Sequence, residues 1–330
     1  MEQKKTNVEK FLNLLILQGI QGLNVKKLIK SAINTYIFFN FGGRLKHTTR
    51  MDAENQEYLK RIDIRELFEK KNPGLAKKIP GFVYRYINRV MHIEEINDIL
   101  KEHGDERGID FARSMVNYFN VHETINGIEN IPQSGRFIFA SNHPLGGFDA
   151  LLILCNIDRV LGETKTLVND VLMSIPQLKP IFVPLNKHGG HSKDVIKQIH
   201  EVYSSSNQIL IFPSGFASRK IKGVIQDFDW KKHFIAKSIE YQRDIIPIHV
   251  SGKNTDFFYN LANFRVFFRL KWNLEMFFLS DEFFKQKNQS FTITFGKPIP
   301  YTTFDKSKTL DQWATEVRET VYKLPKEYQQ

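Results

Sequence analysis

Between Val121 and Phe295, short apolar runs alternate with stretches of helical periodicity, and proline or glycine cuts off most of the runs. Such runs are too short for helices and rich in β-prone side chains, which predicts strands at Val121–Ile125, Phe137–Ala140, Lys165–Val168, Ile181–Pro184, Gln208–Phe212, Ile245–Val250 and Phe291–Phe295. Helical patterns follow from Ala150, at Lys193–Tyr203, at Trp230–Tyr241 and at Leu310–Lys323. Strand and helix in alternation imply an α/β fold with a layered, largely parallel sheet flanked by helices. In such a sheet the loops after the strands line the ligand crevice.

Two of these loops carry chemistry. Phe137–Ala140 runs into Ser141-Asn142-His143-Pro144-Leu145-Gly146-Gly147-Phe148-Asp149, with one histidine and one carboxylate in a Pro/Gly turn. A neutral imidazole takes a proton from a hydroxyl near pH 7, and a nearby carboxylate fixes its tautomer. His143 is thus a candidate general base and Asp149 its orienter. The alternative is a structural histidine in a turn, with Asp149 capping the following helix. The second loop, Phe212-Pro213-Ser214-Gly215-Phe216-Ala217-Ser218-Arg219-Lys220, lies about 70 residues further on and ends in two cations. An anionic group would suit Arg219 and Lys220, because guanidinium is a planar fork of donors.

The pair Ser-Asn-His-x5-Asp and Phe-Pro-Ser-Gly-x3-Arg resembles the glycerolipid (lysophospholipid) acyltransferase superfamily, with usual patterns Asn-His-x4-Asp and Phe-Pro-Glu-Gly-Thr-Arg. Two further blocks fall in the expected order, Val183–Lys193 and Asp244–Gly252, so the resemblance covers roughly residues 120–300. It implies a glycerol-3-phosphate acyltransferase-like fold with an N-terminal helical region. The implied reaction is transfer of a fatty acyl group from acyl-ACP or acyl-CoA to a lipid hydroxyl, with no other cofactor. His143 and Asp149 would be catalytic. Asn142, Gly146, Gly147, Lys187, Ser214, Gly215, Arg219 and Lys220 would bind substrate, with backbone N–H groups near Gly146-Gly147 or Ser214-Gly215 meeting the oxyanion.

Three departures stand out. The His–Asp spacing is one residue longer than usual, so a bulged loop must reach Asp149, as Gly146-Gly147 permits. Ser214 replaces the usual glutamate, and Asn186-Lys187 replace the usual arginine of the third block. This variant resembles a bacterial subgroup that acylates amino-acid-linked lipids such as glycine or ornithine lipids. A lysophospholipid or an acylated amino acid is therefore the expected acceptor. The rival expectation is a non-catalytic lipid-binding protein that kept the fold.

Composition narrows the partners. The net charge is +11, and +7 of it lies in residues 1–50. No zinc-knuckle, RNP-type or basic-repeat pattern accompanies it, so nucleic acid is not expected and an acidic membrane surface is. No apolar run reaches the ~18 residues of a membrane span. A peripheral protein on the cytoplasmic face of the inner membrane is the resulting expectation, with an acyl carrier protein or CoA thioester as partner. The single cysteine, Cys155, sits in an apolar run, excludes an internal disulfide and reads as core filler. His188-x2-His191 lacks a third ligand at convincing spacing, so no metal is expected.

Three regions follow: a basic extension over 1–50, which is either a membrane-surface anchor or sequence upstream of a natural start at Met51, a helical region over 51–120, and the acyltransferase α/β domain over 121–330. Phe82–Ile93 reads as one helix carrying Arg85 and Arg89, suited to a lipid interface or to packing on the α/β domain. Asp256–Phe284 mixes many aromatics with Arg265, Arg269 and Lys271, and fits a lid at a headgroup boundary or an acyl-chain groove, or plain core packing.

Overall fold

The computed structural model describes residues 61–71, 73–169, 172–185, 193–269 and 274–328. The basic extension, Lys187, His188, His191, Lys271 and Trp272 lie outside the described residues. Among the described residues five helices come first: α1 (Ile64–Lys71), α2 (Pro73–Ala76), α3 (Gly81–Val90), α4 (Ile93–His103) and α5 (Ile109–Phe119). The α/β part then runs β1 (His122–Asn126), β2 (Phe137–Ser141), α6 (Phe148–Leu161), β3 (Thr164–Asn169), β4 (Phe182–Leu185), α7 (Lys193–Ser204) and β5 (Gln208–Ile211). It continues with β6 (Arg219–Ile221), β7 (Val224–Gln226), α8 (His233–Tyr241), β8 (Asp244–Val250), α9 (Asp256–Phe267), α10 (Leu279–Phe284), β9 (Ser290–Phe295) and α11 (Leu310–Glu327).

Seven strands form one sheet in the order β1-β9-β8-β2-β5-β3-β4. From β8 to β4 neighbours are parallel, whereas β9 runs antiparallel to β8 and β1 parallel to β9. The fold is α/β with a mixed, mostly parallel sheet. β2 lies inside, with Ile138 registered against Ile209 on one side and Ile245 on the other. All five of its residues are buried, as a strand covered on both faces requires.

Alternation along β2 divides the core in two. Phe139 joins Leu210, Ile246 and Ile293 under α6 and α5, while Ile138 and Ala140 join Ile209, Ile245, Phe234 and Val317 under α8 and α11. α6 is buried almost continuously from Phe148 to Ile157, with Cys155 inside it. Burial pushes that thiol up to about 12.

The fully buried Arg243 enters at the start of β8 and donates to the carbonyls of Tyr203 (2.9 Å), Asn207 (2.8 Å) and Ser205 (2.6 Å). One guanidinium thereby satisfies acceptors left over where α7 ends and β5 begins.

Phe82–Ile93 is not one helix. It breaks at Met91-His92, where His92 takes φ +52° and starts α4. Val83, Tyr84, Ile87 and Val90 of α3 are buried and Arg85 and Arg89 exposed, so this helix packs its apolar face inward. The aromatic stretch divides similarly: Phe258, Tyr259, Leu261 and Ala262 of α9 are buried, while Phe264, Val266, Phe267 and Phe268 are exposed.

Candidate active site

β2 delivers the first motif at the carboxyl end of the sheet. The buried Asn142 amide donates to the Val250 carbonyl (2.9 Å) and accepts from the Val250 N–H (2.8 Å). It behaves as one more peptide of the ladder, joining β2 to β8 just past their last pairs. The side chain expected to bind substrate is thus occupied in holding the loop.

His143 follows, stacked on Phe212 with ring centroids 4.0 Å apart. Its Nδ1 lies 3.0 Å from Asp149 Oδ2. The same oxygen accepts the Leu145 N–H (3.0 Å), while Oδ1 accepts the Gly147 (3.1 Å) and Ala150 (2.9 Å) N–H groups. Asp149 is fully buried in the first turn of α6, and its two oxygens are filled by these four contacts. Both roles open at Asp149 are therefore filled by one carboxylate, since it ties down the helix start and meets the imidazole. A carboxylate acceptor fixes the proton on Nδ1 and leaves the lone pair on Nε2. Nε2 has no partner among the described residues, and 16% of the ring side chain remains exposed.

Gly146 absorbs the extra residue of the His–Asp spacing. It adopts φ +72°, and a Cβ there would lie 3.0 Å from both the Ala217 Cβ and the Leu279 Cδ1. Only glycine fits this turn without moving its neighbours. The Gly147 N–H is taken by Asp149 and the Gly215 N–H by the Phe212 carbonyl (2.9 Å). Of the proposed oxyanion donors, the Gly146 and Ser214 N–H groups have no partner among the described residues.

The second motif packs directly on the first, with the Ser218 N–H donating to the His143 carbonyl (2.7 Å). Ser214 is buried and gives its hydroxyl to the Phe216 carbonyl (2.8 Å). Arg219, the candidate for holding an anionic substrate group, is enclosed by other side chains. It is buried, donates to the Ala217 carbonyl (2.7 Å), pairs with the buried Glu275 and lies 4.9 Å over the Phe258 ring. Burial lowers its affinity for a proton, which Glu275 partly restores. Lys220 is half-exposed, with its ammonium 3.3 Å from Asp256. Lys187 is outside the described residues.

Sequence reasoning missed Asp227. Its Oδ1 accepts the His143 N–H (3.2 Å) and the Ser218 hydroxyl (2.5 Å), and its Oδ2 accepts the Trp230 indole (2.9 Å). Asp227 thus clamps the backbone of His143 to the second motif from behind. Burial raises its pKa, against the lowering effect of these bonds. The β6–β7 ribbon that carries it was also unexpected, and its turn Lys222-Gly223 is the signal that was available.

A histidine–carboxylate pair that leaves the lone pair of Nε2 free of hydrogen bonds among the described residues, on an α/β sheet beside a Pro-Ser-Gly turn, suits acyl transfer to a hydroxyl. Residues 65–329 match the family described as Acyltransferase, and the chain belongs to that family. Two relatives are named lyso-glycine lipid O-acyltransferase. The protein from Bacteroides thetaiotaomicron is 45% identical over 264 residues, 80% of this chain and 97% of that protein. The one from Phocaeicola vulgatus is 42% identical over 264 residues, 80% of this chain and 95% of its own. This chain is an O-acyltransferase, which sets aside the binding-only expectation. The 1-acyl-sn-glycerophosphate (LPA) acyltransferase structure from Thermotoga maritima aligns with a TM-score of 0.41 at 15% identity, over 92% of this chain and 99% of that one.

Proposed function

We propose that this enzyme acylates the free hydroxyl of a lyso-glycine lipid, drawing the acyl group from an acyl-ACP or acyl-CoA thioester. The observation that carries the chemistry is the 3.0 Å bond from His143 Nδ1 to Asp149, with Nε2 left without a partner among the described residues. The acceptor oxygen attacks the thioester carbonyl as Nε2 takes the hydroxyl proton, and Asp149 stabilises the imidazolium. The tetrahedral oxyanion meets the Gly146 N–H. Collapse breaks the C–S bond, and the imidazolium returns the proton to the departing thiolate. Base assistance of this kind is worth about 10²–10⁴-fold and an oxyanion donor about 10²–10³-fold.

The acceptor assignment is supported by the two relatives that are named lyso-glycine lipid O-acyltransferase. The enzyme works from the cytoplasmic membrane face without spanning it, and among the described residues no helix is long and apolar enough to cross.

The test supplies purified enzyme and its His143→Ala variant with lyso-glycine lipid or lysophosphatidic acid, each with acyl-CoA or acyl-ACP. Diacylated glycine lipid from wild type alone is the expected result. Phosphatidic acid as the main product overturns the acceptor assignment, and turnover retained by His143→Ala overturns the base.

A further inference from the structure

Single exposed apolar side chains are ordinary on a protein surface, but a contiguous group of them is not. At the end of α9 this chain exposes Phe264, Val266, Phe267 and Phe268 within five positions, Phe267 to 80% and Val266 to 64%. The rings gather on one another outside the core, Phe264 to Phe268 at 4.4 Å and Phe267 to Phe268 at 5.0 Å.

The helix beneath them is firmly held. Thr255 caps α9, and its own N–H (2.6 Å) and hydroxyl (2.5 Å) donate to the buried Glu282. Asn263 donates to the Lys220 carbonyl (3.3 Å), so Phe267 lies four residues, about 6 Å of helix, beyond the β6 strand. The turn of that ribbon follows Lys220 directly and carries the exposed Lys222 and Val224. Three residues before Lys220, Ala217 touches the Gly146 turn of the catalytic loop.

Charge selects the partner. Glu275 is buried and spent on Arg219 and Arg265. Lys222 and Arg269, both exposed, have no carboxylate partner among the described residues. Aromatics flanked by unpaired cations match the boundary between acyl chains and anionic headgroups.

We propose that the end of α9 and the β6–β7 turn dock the enzyme on an anionic bilayer, with Phe267 and Phe268 inserted below the headgroups and Lys222 and Arg269 among them. The proposal rests on the reading that the acceptor is a membrane lipid, and it names the surface through which the site meets it.

The test uses the full chain and reads vesicle binding by co-sedimentation, with phosphatidylcholine alone or mixed with phosphatidylglycerol, apart from turnover on detergent-dispersed acceptor. Phe267→Ser/Phe268→Ser is expected to weaken vesicle binding by about ten- to a hundredfold. Lys222→Glu/Arg269→Glu is expected to remove most of the phosphatidylglycerol dependence, about fivefold per cation. Detergent turnover stays at the wild-type rate in both. Vesicle binding unchanged by both variants overturns the proposal. So does a change in oligomeric state with the phenylalanine variant, which makes a second copy the occupant, or an equal loss of detergent turnover, which places these rings in the substrate groove. A wild type that binds vesicles yet transfers no acyl group counts against the proposed reaction and leaves the docking surface standing.

Discussion

Asp149→Asn isolates what the carboxylate does, because the substitution keeps shape and removes charge. Each oxygen accepts two donors: His143 Nδ1 and the Leu145 N–H on Oδ2, the Gly147 and Ala150 N–H groups on Oδ1. An asparagine amide must therefore turn its NH2 toward one pair. Facing Gly147 and Ala150, it strands two backbone donors in a fully buried position. Facing His143, it donates to Nδ1, forces the proton onto Nε2 and removes the base. Either way the negative charge that steadies the imidazolium is gone. Two lost charge-assisted bonds cost about 3–5 kcal/mol, which for a chain of 330 residues lowers the melting temperature by roughly 4–7 °C. The expected loss in kcat is about 10²–10⁴-fold, with the acceptor KM little changed. The assay follows thiol release from the acyl donor at a temperature where circular dichroism shows the variant folded. A folded Asp149→Asn enzyme with kcat within about threefold of wild type refutes the role given to this carboxylate.

Gly146→Ala is expected to cost about 1–3 kcal/mol in denaturant melts and at least about tenfold in kcat, since φ +72° and two 3.0 Å approaches leave no room for the methyl group. His249, on β8 beside Tyr322, has its pKa lowered by burial from 6.5 to about 4. Below pH 6.5 the unfolded chain binds a proton that the folded chain refuses, so this residue's share of stability is full above pH 6.5 and is lost as pH falls toward 4. His249→Gln should flatten the pH dependence of the melting temperature across that window, by up to about 3 kcal/mol. Cys155, buried with its thiol pushed up to about 12, should resist maleimide in the native enzyme and label fully in denaturant.

Much of the fold was legible because β2, β5 and β8 are apolar runs stopped by proline, glycine or a polar turn, and central parallel strands need that pattern. The histidine–carboxylate pair was legible for a related reason: six residues and two glycines confine both groups to one loop. Asp227 was not, because its value lies in meeting a peptide N–H 84 residues away, which no local pattern records. Arg219 is the opposite case. Its chemistry was plain from the sequence, but Phe258 and Glu275, which enclose it, arrive from elements the motif says nothing about. The β6–β7 ribbon escaped because strands of three residues carry too little periodicity to read.

Arg243 ties together segments that the chain brings in separately. Its guanidinium holds carbonyls 36 to 40 residues earlier, at Asn207, Ser205 and Tyr203, from a position at the start of β8. β8 cannot leave the sheet without stripping acceptors from the end of α7, and α7 cannot fray there without exposing a buried cation. These segments therefore open as one cooperative unit. Amides at the amino end of β8 and the carboxyl end of α7 will exchange with deuterium at a shared opening free energy, instead of following the graded fraying expected of a helix end near the surface.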